Sequence, residues 1–374
     1  MKLFKSLLVA PATLGLLAPF TAFAGEANVD EISKYSNLEG VELSNSFLND
    51  GSNAETLIAG GEGLVEDYSP AGGFSETTTA SFSVDAAIGA IDGDTSTEAV
   101  TAYYGLNIGL STSFTGEDSL DIAIDSGSDA VSGKTDPFAF DTGAALSVDG
   151  VTYSFPVGGI GMVAGFDTDI SASFTGACSY SAFSDYMGDC GTGGSLGVGG
   201  SGVTATGGYA FDSGFSVAAG LSSTGDDTVG IMTEEGTDIY GINAAYSADS
   251  WGLAVAYVSD DNAASAETTS WGVNGTYSFD LADLSVGYET QETSGTDSTG
   301  YFVGLTFPEV GPGSVSVGAA TAGNFTDAQT EYMTYEASYA YPVNDGLTVT
   351  PGVFIEEKAG DDLTGIFVKS SFSF

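Results

Sequence analysis

Beyond Thr77, apolar residues recur at every second position. Ala80, Phe82, Val84, Ala86 and Ile88 alternate with small or polar neighbours, as do Val100, Ala102, Tyr104, Leu106, Ile108 and Leu110. A period of two is a β-strand with one apolar and one polar face. The second half repeats the pattern, for example Tyr240, Ile242, Ala244, Tyr246 and then Trp251, Leu253, Val255, Tyr257. Strands are predicted over 78–91, 99–114, 119–126, 143–155, 160–167, 201–211, 214–222, 238–247, 251–258, 269–279, 284–290, 299–307, 314–320, 331–341, 347–356 and 363–374. At Asp149-Gly150 the apolar parity slips. Either a bulge or a tight hairpin accounts for it, and a hairpin would change the count.

The connections alternate in length. Asp212–Gly214, Ala248–Ser250 and Asn344–Gly346 read as tight turns. Ser223–Thr237, Ser259–Thr268, Gln291–Ser298 and Thr321–Thr330 read as long loops, acidic and rich in Gly, Ser and Thr. Short turns at one end and long loops at the other characterise outer-membrane barrels. The apolar faces turn aromatic beside the turns, at Phe211, Phe215, Tyr246, Trp251, Tyr277, Phe279, Tyr339 and Tyr341. In a barrel such a row is the interfacial girdle; in a soluble sandwich it ends a core. The opposite faces carry Gly252, Ala254, Asn274, Thr276 and Ser338, which suits a wet interior. The expected fold is all-β: a transmembrane antiparallel β-barrel of about 16 strands, with short periplasmic turns and long extracellular loops. An even count brings both ends to the periplasmic side.

The first 74 residues differ. Met1–Ala24 has Lys2 and Lys5, an apolar run over Leu7–Phe20 and an Ala22-Phe23-Ala24 cleavage site, and reads as a signal peptide. Gly25–Phe74 is polar and acidic without alternation, a periplasmic leader. The barrel then takes residues 75–374. No later stretch approaches the roughly 18 apolar residues of a spanning helix.

Composition removes function classes. The 374 residues hold 51 Asp and Glu, six Lys, no Arg and no His, for a net charge of −45. Phosphate backbones are bound by Lys and Arg, so nucleic acid is excluded as a partner. Without His there is no Ser-His-Asp or Cys-His site. The two cysteines supply too few ligands for a metal. No cofactor or enzyme activity is expected. Paired acids such as Asp226-Asp227 and Asp260-Asp261 lie in loops without a Ca²⁺-loop motif and read as solvated charge.

The chain ends on Phe374, with Phe372, Val368 and Ile366 in phase. This ending resembles the assembly signal of bacterial outer-membrane barrels, which implies the barrel-assembly machinery as a partner of Phe372 and Phe374. The leader MKLFKSLLVAPATLGLLAPFTAFA, the following ANVDEISKYSN, VTYSFPVG (Val151–Gly158) and CSYSAFSDYMGDCGTG (Cys178–Gly193) resemble cyanobacterial outer-membrane porins. That family is related to carbohydrate-selective porins, and some members are labelled iron-uptake porins. Many members carry an S-layer-homology domain before the barrel; none is recognisable here. The resemblance implies a homotrimer in outer-membrane lipid.

A barrel of about sixteen strands leaves an aqueous lumen, and something must narrow it. The longest connection, about 168–201, follows the fifth strand; in porins such a loop folds inward. It holds Cys178 and Cys190, and two cysteines in one exported loop read as a disulfide. Asp185 and Asp189 lie inside that covalent loop and are the constriction candidates. Parity places Asp85, Asp121, Asp125, Glu289, Glu336 and Lys369 on the lumen wall. Rings of acids favour cations, although salt screens them over about 8–10 Å. The expected function is a water-filled porin for passive diffusion of small hydrophilic solutes and inorganic ions, cation-preferring. The alternatives are a substrate-preferring uptake channel for carbohydrate or iron species, and a non-channel structural surface protein.

Overall fold

The computed structural model of the protein describes residues 78–93, 100–128, 137–140, 144–198, 202–224, 231–233, 236–262 and 267–374. The predicted signal peptide and leader lie outside the described residues. The strands are β1 (Thr78–Asp92), β2 (Thr101–Thr112), β3 (Ser119–Gly127), β4 (Ser147–Val157), β5 (Ile160–Phe166), β6 (Val203–Ala210), β7 (Phe215–Ser223) and β8 (Thr237–Ser247). They continue with β9 (Trp251–Asn262), β10 (Thr268–Ser278), β11 (Asp283–Thr293), β12 (Thr296–Val310), β13 (Gly313–Thr321), β14 (Met333–Asn344), β15 (Leu347–Glu356) and β16 (Leu363–Ser373). Each strand pairs antiparallel with the next, and β16 returns to β1, so the barrel closes. Closure leaves no strand edge with unpaired backbone groups, which is what hydrocarbon demands.

The seam of that closure uses the last residue. Phe374 N–H donates to Phe82 O at 3.0 Å, and Phe82 N–H donates to Phe374 O at 2.9 Å. Their rings stack with centroids 5.7 Å apart.

The parity slip resolves as a bulge. Ala123 lies opposite Gly150 and Ile124 opposite Val148, so Asp149 is the extra residue and the count stays at sixteen. One expected loop is absent. Instead of a long connection over Gln291–Ser298, β11 and β12 run on to a two-residue turn, Ser294-Gly295, both at positive φ (53° and 74°). Positive φ at both positions is the hairpin geometry that matches strand twist. The alternation disappears there because both faces are polar, so hydrophobic period carries no signal.

Along most strands the outward residues are apolar and many are exposed, while many inward ones are small or polar. In β8, Tyr240, Ile242 and Tyr246 are exposed and alternate with buried Ile239, Gly241, Asn243 and Ala245. Aromatic pairs mark the turn end: Tyr209 with Phe211, Tyr246 with Trp251, and Tyr277 with Phe279. So large an apolar outer surface is a liability in water and an ordinary girdle in lipid. At the β2–β3 turn, Asp118 collects the hydroxyl of Tyr153 (2.6 Å), the N–H groups of Thr115 and Phe114, and the Ser113 hydroxyl. The Tyr153 bond first, then the turn N–H groups, hold its carboxyl far below the usual range.

Candidate pore constriction

The connection between β5 and β6 does not stay at the rim. It runs along the inward face of the barrel, and the wall is shaped to receive it. Ile170, in a short 3-10 turn (Ile170–Ser173), is buried against Val198, Ile239 and Val258. A Cβ at Gly241 would lie 2.5 Å from Ile170 Cδ1, and one at Gly287 only 1.8 Å from the Cys190 carbonyl oxygen. At Gly287 the neighbour is backbone and only glycine permits the approach; at Gly241 the Ile170 side chain would have to move.

The loop backbone is then bound by wall side chains from three strands. Thr175 N–H donates to Asn243 Oδ1 and Ala177 N–H to Asn274 Oδ1, both at 2.8 Å. Ser179 N–H donates to Ser285 Oγ at 3.1 Å. Alternate N–H groups of an extended segment are thus satisfied by β8, β10 and β11, as a buried loop requires.

Two carboxylates complete the attachment. Glu336 on β14 is 5% exposed. Its Oε1 accepts Phe183 N–H (2.7 Å) and the Tyr180 hydroxyl (3.0 Å); its Oε2 accepts Ser184 N–H (2.9 Å) and the Ser184 hydroxyl (2.5 Å). Burial and the neighbouring Glu336 charge push the Tyr180 phenol well up. Glu289 on β11 is 3% exposed and accepts the hydroxyl of Ser195 (2.7 Å), Gln291 Nε2 and Asn324 Nδ2. Both acids lie on the inward face, and the structure puts both beneath the loop, where their charge is engaged by donors.

Cys178 and Cys190 form a disulfide, with Cα atoms 6.0 Å apart. Cys190 is fully buried with Met187, Phe302 and Ala320. Asp189 and Cys190 adopt left-handed backbone conformations (φ 53° and 51°). Such conformations cost on the order of 1–3 kcal/mol each and persist where the surroundings over-determine them. Here the disulfide and the Cys190 carbonyl on Gly287 do so. Asp185 and Asp189 are both exposed on this loop. The Asp189 carboxyl itself is partly desolvated by the loop around it, and this first, then the charges of Asp185 and Asp169, raises its pKa.

The other acids stand on β1 and β3. Asp85 accepts the Ser371 hydroxyl, Asp121 that of Ser119 (2.8 Å) and Asp125 that of Ser147 (3.0 Å). Register puts Asp85 opposite Ser371 and Gly105, and Asp125 opposite Asn107, on one face. Asp85, Asn107, Asp125, Asp149, Phe140 and Lys369 line a chamber of about 420 Å³. The Lys369 ammonium donates to the Phe183 carbonyl at 3.3 Å and lies 5.8 Å from that ring's centre.

Three inward aromatics are not among the candidates legible in the sequence. Tyr103, Phe354 and Phe367 project inward from β2, β15 and β16 and are buried with Phe183 and Phe138. Their signal lay in phase: each stands on the small-residue face, opposite the outward run of its own strand. Asn243, Asn274 and Ser285 were equally invisible, because polar wall residues are ordinary in a wet barrel.

A family model described as Gram-negative porin matches residues 160–353. No curated protein matches the chain. Among solved structures, Pseudomonas putida OprB is similar with TM-score 0.63 and 13% identity, over 80% of this chain and 94% of that one. An anion-selective porin from Comamonas acidovorans is similar with TM-score 0.57 and 13% identity, over 80% and 99%. A mutant porin from Rh. blastica is similar with TM-score 0.52 and 15% identity, over 79% and 100%. At these identities the structural likeness speaks for the fold.

Proposed function

Because the chain belongs to the Gram-negative porin family, whose barrels sit in the outer membrane, we propose that it forms a water-filled channel for passive diffusion of small hydrophilic solutes and inorganic ions, with a preference for cations. One observation supports this reading: the inward face and the inserted loop carry many more acids than bases. Asp85, Asp121, Asp125 and Asp149 lie along the β1–β4 wall or its chamber, and Asp185 and Asp189 are exposed on the inserted loop. Among the described residues, Lys369 is the one base on the inward face, and it is taken up by the Phe183 carbonyl. Acidic linings favour cations over anions.

The inserted loop is the constriction in this reading, and Asp185 and Asp189 are its charged rim. An aromatic slide for sugars finds little support, since Phe302, Phe354 and Phe367 are at most 2% exposed. The leader and the Cys178–Gly193 segment support placement among the cyanobacterial members, with export by a signal peptide cleaved after Ala24.

The heights of the strands support assembly with further copies. β5 has seven residues and β6 eight. Seven residues at about 3.3 Å each, tilted by about 40°, rise only about 18 Å, short of the roughly 25 Å apolar band. A second copy of the chain over this low wall covers what lipid does not match, in keeping with a homotrimer. The C-terminal Phe372 and Phe374 are the signal read by the assembly machinery.

The test is stepwise conductance of purified protein in planar bilayers. Discrete ohmic steps with a cation-side reversal potential are expected. Folded, inserted protein without steps overturns the channel reading, and steps without cation preference overturn the acidic-lumen reading.

A further inference from the structure

The loop segment Phe183–Asp185 is held at three points. Glu336 and Lys369 belong to strands. The third anchor, Pro137–Phe140, belongs to the connection between β3 and β4, a different loop. The Pro137 carbonyl accepts Asp185 N–H at 2.8 Å. Phe138 beside it is 8% exposed. Its ring meets Phe183 of the constriction loop edge-on at 5.5 Å, and Phe367 of β16 edge-on at 5.1 Å. Phe140 stacks on its other side at 5.1 Å. Edge-on contacts on two sides and a stack on a third match the ring quadrupole and fix the ring's position.

The geometry has a directional consequence. Glu336 holds the N–H groups of Phe183 and Ser184, and Lys369 holds the Phe183 carbonyl. The next N–H, that of Asp185, is held from the β3–β4 segment. Asp185 is where the loop enters the segment Asp185–Gly191, a short 3-10 turn broken by non-helical backbone at Gly188, Asp189 and Cys190, which carries both acids and Cys190. Loss of the Glu336 contacts frees Phe183 and Ser184; loss of Phe138 frees Asp185.

We infer that Pro137–Phe140 is a second inserted segment, with Phe138 as a positioning residue that fixes Asp185 in the lumen and so sets the charge at the narrowest point. The inference rests on the reading of the β5–β6 loop as the constriction. It assigns to one outer loop control over the selectivity conferred by another. The mechanism is packing: the Phe138 ring is wedged between Phe183 and the barrel wall, and its backbone neighbour accepts the Asp185 N–H. A wedge of this kind transmits a shift as a change of position, because close-packed interiors do not deform continuously.

The test uses the full chain in detergent and in bilayers, with Phe138→Ala shown to be folded by heat-modifiable migration. Amide exchange at Asp185 is expected to rise about tenfold or more through local opening, while Phe183 and Ser184, held by Glu336, keep their protection. The reversal potential is expected to move toward zero, and Phe138→Leu, which refills the space, restores most of both. Unchanged exchange at Asp185 in folded Phe138→Ala overturns the inference, as does a uniform rise over the whole loop. Absence of conductance in the parent protein would instead count against the channel, and the exchange result still decides the latch. Should Phe138→Ala not fold, Phe140→Ala removes only the stacked support; a several-fold rise at Asp185 supports the latch and no rise overturns it.

Discussion

Glu336 Oε2 accepts both the N–H and the hydroxyl of Ser184, at 2.9 and 2.5 Å, so one wall carboxylate oxygen closes two loop donors. The same side chain takes two more donors from Phe183 and Tyr180 through its other oxygen. A charge that sequence parity puts on the pore wall is therefore spent on holding the loop.

Replacing that carboxylate exposes the dependence. Glu336→Gln presents an NH₂ group to loop donors that need an acceptor. A buried donor left unpaired costs about 1–3 kcal/mol. The loop of the variant should be cut faster by protease, with noisier open-channel current, while the barrel still migrates as folded.

Glu289 pins the other half of the loop through Ser195, with Asn324 and Gln291 on its second oxygen. Glu289→Gln should loosen residues 192–197 and leave 180–184 protected. The two clamps share no partner, so the double variant should be additive to within about 0.5 kcal/mol. Hydrogen exchange of the two segments checks both statements. Loosening of both segments by either single change would contradict them.

Cys178 and Cys190 close a loop of 12-residue separation. Closing a loop of that size is worth on the order of 3 kcal/mol in unfolded-chain entropy. Cys178→Ala with Cys190→Ala should leave the sixteen-strand wall intact, because no ladder bond involves either residue, and should lower the melting temperature of the loop alone. The strain at Asp189 and Cys190 should relax at the same time, visible as changed chemical shifts at both.

The raised Asp189 carboxyl predicts the direction of pH dependence. It is charged above its raised pKa and neutral below it, so its share of cation preference is present above that pKa and lost as pH falls through it. Stability runs the other way. The native state holds this proton more tightly than the unfolded chain, so the loop gains stability as pH falls through the native pKa. Asp189→Asn should remove both effects. A reversal potential that titrates identically in parent and variant would refute the assignment.

Deletion of Phe374 removes two backbone hydrogen bonds and a ring stack at the seam. The folding yield of the truncated chain should fall in detergent, before any cellular assembly factor is involved. An unchanged yield would leave Phe374 with a recognition role alone.

Much of this fold is legible in the residues. Period two is unambiguous where one face meets lipid and the other water, as in Tyr240, Ile242, Tyr246 against Gly241, Asn243, Ala245. It fails where both faces meet water, and there Gln291–Ser298 reads as a loop although β11 and β12 continue through most of it. The face of Glu289 and Glu336 is readable from parity. Their engagement by the loop is not, because it depends on a segment more than ninety residues away in the chain for each. Phe138 gives no sequence signal at all: a lone aromatic in a polar connection acquires its meaning only from Phe183 and Phe367.

The measurement that tests the account most directly is the reversal potential of the purified protein in a planar bilayer under a KCl gradient, compared with Asp185→Asn/Asp189→Asn. The account predicts a cation-side potential in the parent and a clear shift toward zero in the double variant, with unitary steps retained. A parent potential at zero or on the anion side, or a double variant indistinguishable from a cation-selective parent, would contradict it.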